Sequence, residues 1–215
     1  MKYGHALVQL FCKAPTSGEV KTRLAAYLGE DGAAALHLEL ATDAFNRCRA
    51  STRYKLDVWC APTIDHQIFG SFADSGADLF EQVGHDLATR MQHAMSQGLL
   101  VTGVNKVVLI GTDCPSINAS YIELALDALG DHDVVFGPAE DGGYGLIGMK
   151  HAVVASVFQG IRWGTNSVLA DSCRKLNDMQ INFALLPLIW DVDIAEDLPR
   201  YRAWLDARSG KPKLD

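Results

Sequence analysis

Two apolar runs decide what this chain can fold into. Ala6 to Cys12 is apolar except at Gln9, and Lys106 to Ile110 is apolar after its first residue. A strand without polar alternation is buried on both faces, as in a parallel sheet with helices on each side. Helical stretches separate such runs along the chain. Lys21 to Leu28 reads as helix, and a longer one runs from about Gly32 to Cys48 with Asp31 as its N-cap. Tyr54, Leu56, Val58 and Cys60 alternate with mostly polar neighbours, the period of a strand. Asp86 caps a helix from Leu87 to about Ser96, and Asn118 to Leu129 is another. Asp133 to Gly137 and Tyr144 to Met149 read as strands around an Asp141-Gly142-Gly143 turn. Thr165 to Leu176 is helical, Ile181 to Leu186 is a strand, and a last helix lies between Ala195 and Ala207 with Pro199 early in it. This order predicts an α/β fold, a three-layer α/β/α sandwich on a mostly parallel sheet. Residues 1–208 are expected to form one domain and 209–215 a flexible tail.

Charge and cysteine usage exclude several function classes. A net charge of −7 across 215 residues, with no Lys/Arg run, argues against nucleic acid as partner. The five cysteines are an odd count without a CxxC pair, which predicts reduced thiols and no structural zinc. No apolar stretch reaches the roughly 20 residues of a membrane span. The expected location is cytoplasmic, and homo-oligomerisation is left open. The histidines form no H-x-x-x-H cluster, and no G-x-S-x-G elbow supports Ser-His-Asp hydrolysis.

The candidate chemistry sits where apolar runs end. In open α/β sheets, ligands collect outside the carboxyl ends of the strands. Lys13, Pro15, Gly18, Lys21, Thr22 and Arg23 follow the first run. Such a loop presents backbone N–H groups and two cations at a helix N-terminus, a setting for a diphosphate or triphosphate. The plain alternative is a βα turn with solvated cations; the loop is not a Walker A motif. Asp113 ends the second run, placed to bind Mg²⁺ or Mn²⁺ or to cap the following helix. Arg90 reaches either a phosphate or Asp86, four residues before it. Glu140, Asp141, Gly142, Gly143 and Tyr144 form either a hairpin turn or the lining of an acceptor site. Trp163, with Thr165, is either a stacking platform or a core residue before a capped helix. Asp191 and Asp193 fall on one side of an extended segment, placed either to complete a metal site with Asp113 or to cap the final helix.

Six segments in order resemble a bacterial family of small GT-A-like transferases, labelled glycosyltransferases or radical-SAM/selenodomain-associated transferases. They are Phe11 to Leu24 (F-x-K-x-P-x-x-G-x-V-K-T-R-L), Gln82 to Met91, Gly111 to Pro115 (G-T-D-C-P), Gly137 to Gly148 (G-P-A-E-D-G-G-Y-x-L-I-G), Trp163 to Thr165, and Asp191 to Leu198 (D-V-D-I-A-E-D-L). Within the second, Gly84-His85-Asp86-Leu87-Ala88-Thr89 departs from the family's G-D-L-G pattern. The resemblance implies the nucleotide-diphospho-sugar transferase (GT-A-like, Rossmann-like) fold, which also hosts nucleotidyltransferases. It implies a nucleotide on the first loop, Lys21 and Arg23 at its phosphates, Asp113 at a metal, and Asp193 as second metal ligand. The expected activity is glycosyl transfer from a nucleotide sugar to a small-molecule acceptor, with Asp113, Asp141 and Lys21 as catalytic residues. The alternative is transfer of a nucleotidyl group from an NTP to a phosphorylated acceptor with loss of pyrophosphate. A third reading, a non-catalytic nucleotide-binding module, predicts binding without turnover.

Overall fold

A computed structural model describes residues 5–209. Its seven strands form one sheet in the order β3-β2-β1-β4-β6-β5-β7. β1 (Ala6–Lys13) lies between β2 (Lys55–Ala61) and β4 (Lys106–Ile110), parallel to both. β3 (Asp78–Glu81) and β7 (Phe183–Leu185) are parallel edge strands. β6 (Tyr144–Lys150) is antiparallel to β4 and to β5 (Val134–Pro138). The sheet is therefore mostly parallel, as expected, with one reversed strand that the Asp141-Gly142-Gly143 turn makes possible.

The apolar runs are buried on both sides because alternate residues face different cores. Val8, Leu10 and Cys12 meet α1 (Thr22–Cys48), α2 (Gln67–Asp74) and α4 (Ala119–Ala128) through Phe45, Phe69 and Ile122. Leu7 and Phe11 face α3 (Leu87–Leu100) and α5 (Val168–Asp178) through Met91, Met95 and Leu176. Gln9, the one polar residue of β1, is fully buried, and its amide donates to the Ala94 carbonyl of α3 at 2.7 Å. That bond offsets the cost of burying the amide nitrogen. A third cluster joins α1 to α6 (Asp197–Ser209) through Leu24, Leu40, Trp190 and Tyr201.

α1 breaks at Gly29, where φ is 73° and ψ is 165°, so the two helices read from the sequence are both present. Asp31 is not observed capping the second; its carboxylate accepts the Ser17 hydroxyl instead, at 2.7 Å. α2 and β3 were not expected. The first has only eight residues and the second four, on an exposed edge, too short for periodicity to register. α5 begins at Val168 rather than Thr165. α6 reaches Ser209, and positions 210–215 of the expected tail lie outside the described residues. All five cysteines are free thiols, and no described helix is long and apolar enough to cross a membrane.

Candidate active site at the β1/β4 switch point

Strand order reverses between β1 and β4, so their carboxyl ends open a crevice. The register Leu10↔Ile110 brings the two loops that follow side by side. Lys21 and Asp113, 92 positions apart in sequence, meet there with Nζ 3.0 Å from Oδ1. The same Nζ is 3.8 Å from Asp193 Oδ1, and Arg23 donates to Asp193 Oδ2 at 2.8 Å. The Lys21 side chain is only 4% exposed, against 45% for Asp113 and 36% for Asp193. The expected phosphate cations and the expected metal carboxylates thus neutralise one another.

Backbone geometry sets this arrangement. Lys21 is the N-cap of α1 in a left-handed conformation (φ 48°, ψ 41°) and no side chain caps the helix. The first turn keeps N–H groups for an anion. Lys13 does not join the cluster: its Nζ donates to the Glu19 carbonyl at 2.7 Å, closing the loop over Pro15 and Gly18. Gly18 has φ of 76°, a conformation that glycine adopts without strain. Thr22 opens α1 and is exposed. Asp113 is not a helix cap, because Asn118 performs that role for α4 by accepting from Tyr121 N–H at 3.0 Å. Its carboxylate instead faces Lys21 in the crevice.

Two residues that sequence reasoning missed support the two loops, Arg47 the one after β4 and His37 the one after β1. Arg47, buried on α1, donates to the Ile117 carbonyl at 2.8 Å and to the Cys114 carbonyl at 3.3 Å. His37, also buried on α1, sits with Nε2 2.9 Å from the Lys13 carbonyl and Nδ1 4.0 Å from Asp113 Oδ1. Burial holds its pKa below the usual value, outweighing the pull of Asp113. Neither carries a local signal, since each acts on a loop distant in sequence.

The acceptor candidates separate into two groups. Asp141, Gly143, Tyr144, Trp163 and Thr165 line one cavity of about 180 Å³, together with Leu87, Cys114 and Asp191. Glu140 does not: Arg200 holds it with two hydrogen bonds of 2.7 and 3.1 Å, and that guanidinium lies 4.5 Å over the Trp190 ring. The pair ties the turn to α6. Tyr144 contributes its ring but not its hydroxyl, which is buried toward Ser172. Trp163 packs edge-on to Tyr144 at 6.1 Å, serving the core and the cavity wall together. Thr165 donates to the Arg162 carbonyl at 2.7 Å, so it shapes a turn instead of capping α5. Arg90 donates to the Gly84 carbonyl at 3.1 Å, and its charge also acts on Asp86, which forms a capping box with Thr89.

Gly142 locks the turn. Its φ is 87°, and a Cβ there would lie 2.2 Å from the Asn166 carbonyl oxygen. Gly142→Ala is expected to destabilise the fold by about 3 kcal/mol, combining backbone strain with overpacking, and to lower the melting temperature by about 6–12 °C. An unchanged melting temperature would show that the turn is soft.

Asp191, expected with Asp193 either to complete a metal site with Asp113 or to cap the final helix, faces Asp141. Ile189 bridges to Ala139, and Val192 N–H donates to the Asp113 carbonyl at 3.0 Å, threading the segment between the two loops. Burial first, then the Asp141 carboxylate, push Asp191 up to about 6 from 3.8. A raised acid pKa means the ionised form is disfavoured in the fold. The penalty is absent below about pH 3.8, grows toward pH 6 and is complete above it. Asp191→Asn is expected to stabilise the metal-free protein by about 1 kcal/mol at pH 8, after discounting for partial exposure. Urea titrations at pH 8 and pH 3.5 check this; a gain of equal size at both refutes the electrostatic origin.

The donor set suits the Mg²⁺ or Mn²⁺ that the family resemblance implies. Two carboxylates already share one cationic group, and hard cations take one or two carboxylates plus phosphate oxygens. Among the described residues, no group of three or more His, Cys, Asp or Glu side chains could hold a metal alone.

Comparison with known proteins agrees with the fold. A structure from Desulfovibrio desulfuricans G20, provisionally described as a nucleotide-diphospho-sugar transferase, has 32% identity and a TM-score of 0.83. The match covers 98% of this chain and 90% of that one. CMP:2-keto-3-deoxy-manno-octonic acid synthetase complexed with CTP superposes at a TM-score of 0.60, with 11% identity over 95% of this chain and 100% of that one. Rv0371c from Mycobacterium tuberculosis H37Rv, in complex with manganese, superposes at 0.52, with 14% identity over 90% and 96%. These two share the fold alone. No curated protein matches the chain. A family model matches residues 44–165, spanning the Asp113 loop and the Asp141 turn. The chain therefore belongs to the bacterial family described as "Uncharacterized protein conserved in bacteria (DUF2064)", and it has the fold of the nucleotide-diphospho-sugar transferases.

Proposed function

We propose that this protein is a metal-dependent transferase that uses a nucleotide substrate, moving a glycosyl group from a nucleotide-diphospho-sugar to a small acceptor. One observation carries the reading: Lys21, whose side chain is 4% exposed, links Asp113 and Asp193 at the strand switch point, and the next residue of one loop, Cys114, lines a cavity of about 180 Å³. The provisional description of the D. desulfuricans protein supports it.

Lys21, Arg23 and the uncapped N-terminus of α1 bind and orient the diphosphate. Asp113 and Asp193 would hold the divalent cation, which would supply positive charge to offset the negative charge developing on the leaving group. The acceptor oxygen forms a bond to the anomeric carbon, and the bond from that carbon to the diphosphate breaks. The nucleoside diphosphate leaves with the electron pair. Asp141 takes the hydroxyl proton; Glu140, held by Arg200, is not available as a base.

The same cations suit a triphosphate, so nucleotidyl transfer is the second reading. The CTP complex of the synthetase on this fold supports it. A thermal-shift screen of nucleoside diphosphates, triphosphates and nucleotide sugars, with and without Mg²⁺ or Mn²⁺, tests both. The expected result is a metal-dependent rise with a nucleotide sugar exceeding that of the corresponding triphosphate. Pyrophosphate release from an NTP with an acceptor would select the second reading.

A further inference from the structure

The charge of the acceptor cavity limits what can enter it. Two carboxylates, Asp141 and Asp191, line it, and no lysine, arginine or histidine does. Lys21 and Arg23, the nearest cations of the cluster, are engaged by Asp113 and Asp193. Asp141 spends one oxygen on the Gly143 N–H at 2.8 Å, leaving acceptor capacity for a ligand. A phosphate placed here meets like charge in a half-enclosed site, with no cavity side chain to neutralise it. Hydroxyl groups meet charge-assisted hydrogen-bond acceptors instead. Trp163, Tyr144 and Leu87 provide apolar wall for the carbon skeleton. The cavity has a volume near 180 Å³ and is open to solvent on one side, room for the end of a small acceptor.

We infer that the acceptor end entering this cavity is a small polyol carrying no negative charge, bound through its hydroxyls to Asp141 and Asp191, and that phosphorylated acceptors are rejected. This rests on the glycosyltransferase reading above. It also separates that reading from nucleotidyl transfer to a phosphorylated acceptor.

Saturation-transfer NMR on the intact, metal-free protein tests the class without any knowledge of the donor. The probes are glycerol, erythritol and xylitol, each against its monophosphate, with serinol as a cationic analogue. Expected are signals from at least one polyol, and at least tenfold weaker binding of its phosphate. Asp141→Asn combined with Asp191→Asn should narrow that ratio to within about threefold. Phosphates binding as well as polyols, or no polyol binding, overturns the inference; serinol binding more tightly than glycerol agrees with the acidic lining. A second measurement follows nucleoside diphosphate release from UDP-, GDP- and ADP-linked sugars with Mn²⁺ and the same panel. Faster release with a phosphorylated acceptor overturns the class and leaves the glycosyltransferase standing. No release from any nucleotide sugar, with pyrophosphate formed from an NTP, removes the underlying reading instead.

Discussion

Asp113→Asn is expected to lower metal-dependent turnover by about 10²- to 10³-fold, the scale of losing one electrostatic contact to a transition state. The effect should fall on kcat, because the charge it helps to place matters most when the leaving group departs. Asparagine keeps the size of the side chain and an oxygen for Lys21. Asn118 continues to cap α4, and Arg47 continues to hold the loop through the Cys114 and Ile117 carbonyls. The melting temperature should therefore change little. Initial rates across a Mn²⁺ titration decide the matter. A variant with a third or more of wild-type turnover and the same metal dependence would place the cation elsewhere.

Lys21→Met is expected to have two effects of opposite sign. In the structure, Lys21 Nζ stands between Asp113 and Asp193, where a divalent cation would share them. Removing the ammonium deletes a charged phosphate partner, so nucleotide affinity should fall about 10- to 100-fold, corresponding to roughly 1.5–3 kcal/mol. It also deletes a positive charge 3.0 Å from Asp113 Oδ1, so free Mn²⁺ should bind about tenfold more tightly. Methionine keeps the unbranched stem that fills the buried channel. Mn²⁺ electron paramagnetic resonance and nucleotide titration calorimetry read the two effects separately. Weaker binding of both ligands would mean that Lys21 only props the loop.

The agreement between sequence and structure is uneven for physical reasons. β1 and β4 were legible because burial on both faces leaves a mark on every residue. The break at Gly29 was legible because glycine takes a backbone conformation that other residues avoid. β3 carries no such mark, being short and mostly exposed on an edge. The choice between cap and ligand for Asp113 depended on whether Asn118, five residues on, had taken the cap. Glu140 lost its expected place at the cavity to Arg200, 60 residues away. Asp191 entered the cavity because a parallel bridge from Ile189 to Ala139 aims its segment there.

The sequence by itself determined the layers, the order of most elements and the family, since each rests on local patterns or on motifs in order. It also placed Lys21 and Asp113 at strand ends, where this class of sheet binds ligands. Only the tertiary structure decided that Lys21, Arg23, Asp113 and Asp193 form one charge cluster. Only it separated Asp141 and Asp191, facing the cavity, from Glu140 and Asp193, held by arginines. Those outcomes depend on strand order and register between β1 and β4, and non-local pairing leaves no periodic trace in either strand.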